Sequence, residues 1–347
     1  MITYEELIKV GRTKYATNWQ HEWEQAQARV VPYTTMMPDA LNTGKYYQFP
    51  EIGGTEAHEY TGVNVDIILQ ELGTKLRGMK YRKFHNELTF SVDQVRDMDT
   101  LDMTLSMLMT KQRAAAERFF DMTALGVKRD GVVYKLKTRD DDGYAGGILS
   151  TGYGGENGEE EYELDLTLAG YQAGTGNLIP IDYATRGTGA NYIGTLYDRL
   201  DAMKTRLMET DAFNGNPEDL VICISPKVQQ MLRGLELSLN RDYGVGEMRL
   251  GVASYNSKMQ ATVLVSNMLP TMDTETLGGE TVTGARMCAA WLKSQIGYGA
   301  HHSEYHIKDI NTKVDVDNYT RVRGRAACAR MRDDAVMVLP VDESPAA

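Results

Sequence analysis

The sequence predicts an α+β protein of two lobes with long extensions. Three observations predict it. One long amphipathic pattern covers 97–126, a helix–strand–helix–strand order begins at Asn191, and the carboxyl-terminal part reads almost wholly as strand. The 347 residues suffice for two such lobes, and a hydrophobic content of 42% supports real cores. No run approaches about 18 uninterrupted apolar residues, so no membrane span is expected. Met1–Glu6 lacks the basic and apolar regions of a secretory signal.

Residues 1–54 read as an arm that packs on something else. Trp19, Trp23, Tyr33, Tyr46, Tyr47 and Phe49 are scattered among prolines and polar residues, with a short helical stretch near Tyr15–Ala28. Residues 55–92 read as an extended hairpin. Its strands, 57–68 and 79–92, alternate apolar and polar residues, and the basic connector 73–78 is bounded by Gly73 and Gly78. About 11 residues at ~3.4 Å each give a hairpin on the order of 37 Å long. An isolated two-stranded hairpin is marginal in water, so this one needs a surface, which another subunit is expected to supply.

Residues 93–190 form the first lobe around a helix at 97–126. Leu101, Leu105, Leu108, Ala115, Phe119 and Met122 make its apolar stripe, and Met109, Ala116 and Phe120 widen it. Asp97 or Asp99 can cap its start, and Gly126 can end it. The rest of this lobe is strand and loop, rich in glycine and acid. The block Glu156–Asp165 holds six carboxylates and no cation, the pattern of a solvated loop.

Residues 191–304 read as a second lobe of mixed α/β type. A helix carrying Tyr192, Leu196, Leu200, Met203 and Leu207 leads to a buried strand at Leu220–Ile224. Ser225-Pro226 opens a second helix, Lys227–Arg233, and a strand follows at Ala261–Ser266. Residues 305–334 return to the first lobe as strands, and 335–347 form a terminal strand and tail.

The chemistry of an enzyme is missing. Gly44-Lys45 lacks the preceding glycine of a phosphate loop, and the pairs at Gly174/Gly176 and Gly187/Gly189 lack the third glycine of a dinucleotide loop. No serine occupies a G-x-S-x-G elbow. His21-Glu22 and His58-Glu59 each lack the second histidine of a zinc helix. His302, Glu304 and His306 would share one face of a strand and could hold a metal for a hydrolase, but a polar strand face is the expected reading. Asp140–Asp142 and Asp333-Asp334 read as charged turns. Cys223, Cys288 and Cys328 have no paired spacing, which fits a reducing cytoplasm. No cofactor is expected.

The net charge of −11 opposes tight binding to nucleic acid, though such a protein can enclose it. The charge is unevenly placed. The segment 74–83 holds Lys75, Arg77, Lys80, Arg82 and Lys83 with no acid. The acidic block holds Glu156, Glu159, Glu160, Glu161 and Glu163. These two segments are expected to meet between neighbouring subunits and set their register.

Three stretches resemble the major capsid proteins of tailed phages, the Hong Kong 97 fold. Val221 to Arg233 resembles that family's strand, Ser-Pro turn and helix, and Ala261 to Pro270 its next strand and turn. Asp317 to Leu339 resembles its closing strands. The resemblance implies an amino-terminal arm (1–54), an E-loop hairpin (55–92), a peripheral domain (93–190, with a spine helix at 97–126) and an axial domain (191–304), followed by return strands (305–334) and the terminal strand and tail (335–347). It implies a non-enzymatic subunit that self-assembles into hexamers and pentamers of an icosahedral virion shell, built in the host bacterial cytoplasm around double-stranded DNA. The resemblance implies a portal as partner, leaves room for a decoration protein, and, since no long helix-rich scaffold segment opens the sequence, implies a separate scaffolding protein or none. The same fold also serves encapsulin-type compartments that hold cargo enzymes.

Overall fold

The structure, a computed structural model, describes residues 27–37, 46–52, 74–90, 105–137, 146–154, 160–166, 176–179, 189–233, 253–256, 260–272, 275–277, 280–282, 284–308 and 318–343. In chain order its elements are β1 (Thr35–Met36), β2 (Tyr46–Ile52), β3 (Thr74–Lys80), β4 (Arg82–Phe90), α1 (Leu105–Leu125), β5 (Val127–Asp130), β6 (Val133–Leu136), β7 (Gly152–Gly154) and β8 (Glu160–Tyr162). Then come α2 (Gly189–Met208), β9 (Leu220–Ile224), α3 (Pro226–Arg233), β10 (Ala253–Asn256), β11 (Ala261–Val265), β12 (Glu275–Leu277), β13 (Glu280–Val282), β14 (Arg286–Leu292), β15 (Ile296–Lys308), β16 (Asn318–Arg330) and β17 (Val336–Val341). The chain divides into two units, 1–28 with 82–121 and 300–326, and 29–81 with 122–299 and 327–347.

The second unit is built on a five-stranded sheet in the order β10-β11-β9-β14-β17, with β9 and β11 parallel and the other pairs antiparallel. Its central strand, β9, is buried at every position, as an uninterrupted apolar run demands when both faces are covered. Helix α2 lays Leu196, Leu200, Met203 and Leu207 against the sheet, all fully buried. At ~1.5–3 kcal/mol each, these four side chains contribute on the order of 6–12 kcal/mol of apolar burial. Helix α3 starts as its sequence dictates. Pro226 takes the first turn, and the Ser225 hydroxyl accepts a hydrogen bond from the Val228 amide at 3.2 Å. The sheet draws on the 191–304 segment and also on β17 from beyond it.

A second sheet of this unit runs β2-β3-β7-β8, with each neighbouring pair antiparallel. It corrects the reading of 73–78 as a flexible connector. Residues 74–80 are a strand paired over its whole length with β2, and Arg77, Gly78 and Met79 are buried. Glycine and lysine suggested a loop, but Gly78 faces Tyr153 across the ladder, and the charge of Arg77 is neutralised from a distant part of the chain. The proposed first hairpin strand, 57–68, lies outside the described residues, as do most of the arm, Asp140–Asp142 and the 97–104 end of the long helix.

In the first unit β4 pairs antiparallel with β16 from Arg82↔Ala326 to Phe90↔Asn318. Strand alternation turns Phe84 toward α1, where its ring meets Phe119 (centroids 4.7 Å) and, edge-on, Phe120 (5.4 Å). The Gln112 amide donates to the Asn86 carbonyl at 3.3 Å. The buried stripe of α1 runs through Gln112, Ala116 and Phe120, with Ala115, Phe119 and Met122 only half-buried, so it is rotated slightly from the predicted one. The helix ends as predicted at Gly126, which adopts the left-handed φ of 75°. The Ile148 and Leu149 amides then satisfy the Ala124 and Leu125 carbonyls at 2.8 and 3.2 Å.

Candidate functional site

The densest polar arrangement among the described residues lies in the second unit, where β3, the 146–154 segment, β8 and the turn after β16 converge on Asp333. Arg77 donates to both carboxylate oxygens, at 3.0 and 2.7 Å, in the bidentate fork that guanidinium geometry favours. Arg330, 1% exposed, donates from Nε to the same carboxylate at 3.1 Å. Its Nη1 donates to the carbonyls of Gly147 (3.3 Å), Ile148 (3.0 Å) and Ser150, and its Nη2 to the Tyr162 carbonyl (2.9 Å). Burial pushes the Arg330 guanidinium below its ordinary value, against the pull of Asp333. Burial alone would raise the Asp333 carboxyl, but hydrogen bonds from Arg77 and Arg330 and both charges hold it below the usual carboxylate range.

Glycines make room for this cluster. A Cβ at Gly154 would stand 2.2 Å from the Leu76 carbonyl oxygen and 2.4 Å from the Tyr162 ring. Its absence lets Tyr162 settle beside Arg77, whose guanidinium carbon lies 4.1 Å from the ring centroid. The Tyr162 hydroxyl donates to Glu160 at 2.6 Å, and chiefly for that reason its pKa is pushed up to about 12. Asn177 closes the rear: its side-chain amide donates to the Asp333 carbonyl (2.7 Å) and the Val336 carbonyl (2.8 Å).

This cluster fastens backbone segments together. Its side chains are ion-paired or hydrogen-bonded with one another, and the arrangement presents no nucleophile beside a general base. Arg77, expected at a contact between subunits, is 5% exposed and bound to Asp333 of its own chain, so that expectation is corrected. Lys80 and Arg82 are half-buried, and Lys83 is exposed on β4. Lys75 lies in β3, its side chain outside the described residues, as are Glu156 and Glu159. Glu160, Glu161 and Glu163 are exposed on or just after β8, the last strand of its sheet. The sequence reading missed Arg330, Asp333 and Asn177. The available signal was parity along β16, which puts Arg330 on the side of Val322, Ala326 and Cys328.

Among the described residues no group of three or more His, Cys, Asp or Glu could hold a metal ion. His302, Glu304 and His306 fall in β15, with side chains outside the described residues. Cys223, Cys288 and Cys328 are buried, and desolvation pushes the last two thiols up to about 12. No described helix is long and apolar enough to cross a membrane.

No protein-family model matches the sequence, and no curated protein is similar to it. Solved structures are similar across almost the whole chain. The Cyanophage Pam1 capsid matches with a TM-score of 0.60 at 12% identity, over 96% of this chain and 97% of that one. A chain of Mycobacterium phage Ogopogo matches with a TM-score of 0.59 at 12% identity, over 99% and 100%. The capsid of Cyanophage P-SCSP1u matches with a TM-score of 0.57 at 14% identity, over 96% and 93%. The fold is therefore that of the tailed-phage major capsid proteins, an α+β fold with several sheets and few helices.

Proposed function

We propose that this chain is the major capsid subunit of a tailed bacteriophage, with copies that assemble as hexamers and pentamers into an icosahedral shell around double-stranded DNA. What carries the reading is fold similarity to phage capsid chains over 96–99% of the sequence. In this reading 1–54 is the arm, 55–92 the E-loop, 93–190 and 305–334 the peripheral domain, 191–304 the axial domain, and 335–347 the terminal strand and tail. Lys75, Lys80, Arg82 and Lys83 face Glu156, Glu159, Glu160, Glu161 and Glu163 of neighbouring copies. A portal and a separate scaffolding protein complete assembly in the host cytoplasm. The net charge of −11 suits a wall that confines DNA without gripping it.

The test is to express the chain together with the genes that flank its own and to image the sedimenting fraction by electron microscopy. Closed shells in which this chain is the dominant protein are expected. A 38.8 kDa monomer at every concentration, with no shells, overturns the proposal. Shells loaded with an enzyme rather than competent for DNA would assign the fold to a cargo compartment instead.

A further inference from the structure

The loop from α2 to β9 exposes a reactive pair of residues. Both ends of this loop are anchored. Upstream, Ala212 is buried and the Phe213 backbone amide donates to the Thr210 carbonyl at 3.1 Å. Downstream, the buried Asp219 carboxylate accepts the Ser294 backbone amide at 2.8 Å and the Ser294 hydroxyl. Between the anchors Asn214, Gly215 and Asn216 are all exposed.

An asparagine followed by glycine carries an electrophile and a nucleophile in one small unit. The electrophile is the Asn214 side-chain carbonyl carbon, Cγ. The nucleophile is the Gly215 backbone nitrogen, whose attack closes a five-membered ring. Two observations favour that ring. Gly215 holds a left-handed φ of 84°, which suits glycine, and a Cβ placed there would meet nothing within 4 Å, so water and base reach the pair. The backbone amide of Asn216 donates to Asn214 Oδ1 at 3.0 Å. That oxygen gains negative charge when Cγ is attacked, so a donor already stands where the charge develops. Two other asparagines lack these conditions. Asn216 precedes Pro217, whose nitrogen has no hydrogen to lose. Asn177 is 4% exposed, precedes Leu178, and its side-chain nitrogen donates to the carbonyls of Asp333 and Val336.

We infer that Asn214 is a site of self-deamidation, a modification that consumes only water. The Gly215 nitrogen gives its proton to solvent and bonds to Cγ. The side-chain nitrogen of Asn214 takes up a proton and leaves as ammonia, which completes a succinimide ring. Water then opens the ring at one of its two carbonyl carbons. Breaking the bond from the nitrogen to Cγ leaves aspartate at 214. Breaking the bond from the nitrogen to the main-chain carbonyl carbon leaves an isoaspartyl link through the side chain. Nothing is oxidised or reduced. Either product adds one negative charge to the chain's −11. Asp211 and Glu218 oppose charge on Oδ1, but both are exposed, so water and salt screen them. The isoaspartyl product also lengthens the main chain by one methylene, and the anchors at Ala212 and Asp219 confine that change to the loop. The chemistry needs one chain and water, so it proceeds whether or not copies assemble.

The experiment ages the purified full chain in mildly alkaline buffer at physiological temperature and maps its peptides by mass spectrometry. Fragment ions assign each change to a residue, and an isoaspartyl methyltransferase with a labelled methyl donor reads the isoaspartyl product. An unaged sample digested in parallel corrects for change during digestion. Asn214 is expected to lose its amide with first-order kinetics, at least about tenfold faster than Asn177 or Asn216, because a nucleophile misplaced by ~1 Å loses on the order of 10²-fold. Asn214→Ser removes the amide and is expected to abolish the isoaspartyl signal of this peptide. Gly215→Ala keeps the amide but disfavours the left-handed backbone at the nucleophile, and the rate is expected to fall about tenfold or more. Circular dichroism checks that both variants are folded, and if Gly215→Ala misfolds, the wild-type rates and Asn214→Ser decide. An Asn214 that keeps its amide in the folded chain, while urea-unfolded chain loses it, overturns the inference. So does a folded Gly215→Ala that deamidates at the wild-type rate. Asn157-Gly158 lies outside the described residues and on a different peptide, and change there alone also counts against Asn214.

Discussion

In the first unit Arg321, Arg323 and Arg325 stand along one side of β16, exposed or half-buried, whereas in the second unit the same strand ends in Arg330, 1% exposed and enclosed by carbonyls and Asp333. Parity explains the change. Odd positions of the first stretch face outward, while Val322, Ala326, Cys328 and Arg330 face inward. Beyond Ala326 the odd side is covered too, because Ala327 and Ala329 pack with Met79 and the partly buried Met37, Tyr47 and Tyr81. A guanidinium on the first stretch keeps its water. One at the end of the strand must find every partner inside the protein, and Arg330 finds four carbonyls and a carboxylate. The same residue type is thus a surface charge in one unit and a structural fastener in the other.

The largest test of that contrast is Asp333→Ala. It would leave Arg77 and Arg330 buried without a counter-charge, and breaking such an arrangement typically costs about 3–5 kcal/mol. Urea unfolding of the full chain is expected to show a loss of that order, and a loss under ~1 kcal/mol would mean that water already reaches both guanidiniums. Acid sharpens the same point. The Asp333 carboxyl is held below its unfolded value, so its contribution is complete above about pH 4 and disappears as pH falls through the folded value. The wild type is expected to lose stability through that window, and Asp333→Asn to lose less of it, with a shallower acid limb.

Gly154→Ala probes the cluster with no change of charge. The new methyl would meet the Leu76 carbonyl oxygen at 2.2 Å and the Tyr162 ring at 2.4 Å, so the ring must move from Arg77 or β7 from β3. Overpacking of this kind costs about 1–3 kcal/mol. A drop in thermal midpoint with unchanged far-ultraviolet dichroism is expected, and an unshifted midpoint would show that Tyr162 is not held there.

The fold was legible where short-range pattern decides it. The four–three–four spacing of Leu196, Leu200, Met203 and Leu207 located α2, the apolar run located β9, Ser225-Pro226 located the start of α3, and Gly126 the end of α1. The arginine cluster was not legible, because Arg77 and Asp333 lie 256 positions apart and each looks like a surface charge in its own neighbourhood. Only the assembled sheet, with Gly154 admitting Tyr162, makes a buried cation tolerable. β3 was misread for the same reason. Its local composition is that of a loop, and its partners are supplied from β2, β7 and the turn that holds Asp333.

The smallest effect is expected on the outer side of β16. Arg321 and Glu87 form an ion pair at 3.0 Å, with side chains 34% and 38% exposed. Water and salt screen both groups, and holding two long side chains in one geometry costs entropy, so such pairs couple by ~0–1 kcal/mol. A double-mutant cycle with Arg321→Ala and Glu87→Ala is expected to fall in that range and to shrink further at high salt. A coupling of several kcal/mol, indifferent to salt, would mean that this face is covered even in the isolated subunit. The arginines on the two sides of β16 would then share one environment, and parity would no longer account for their difference.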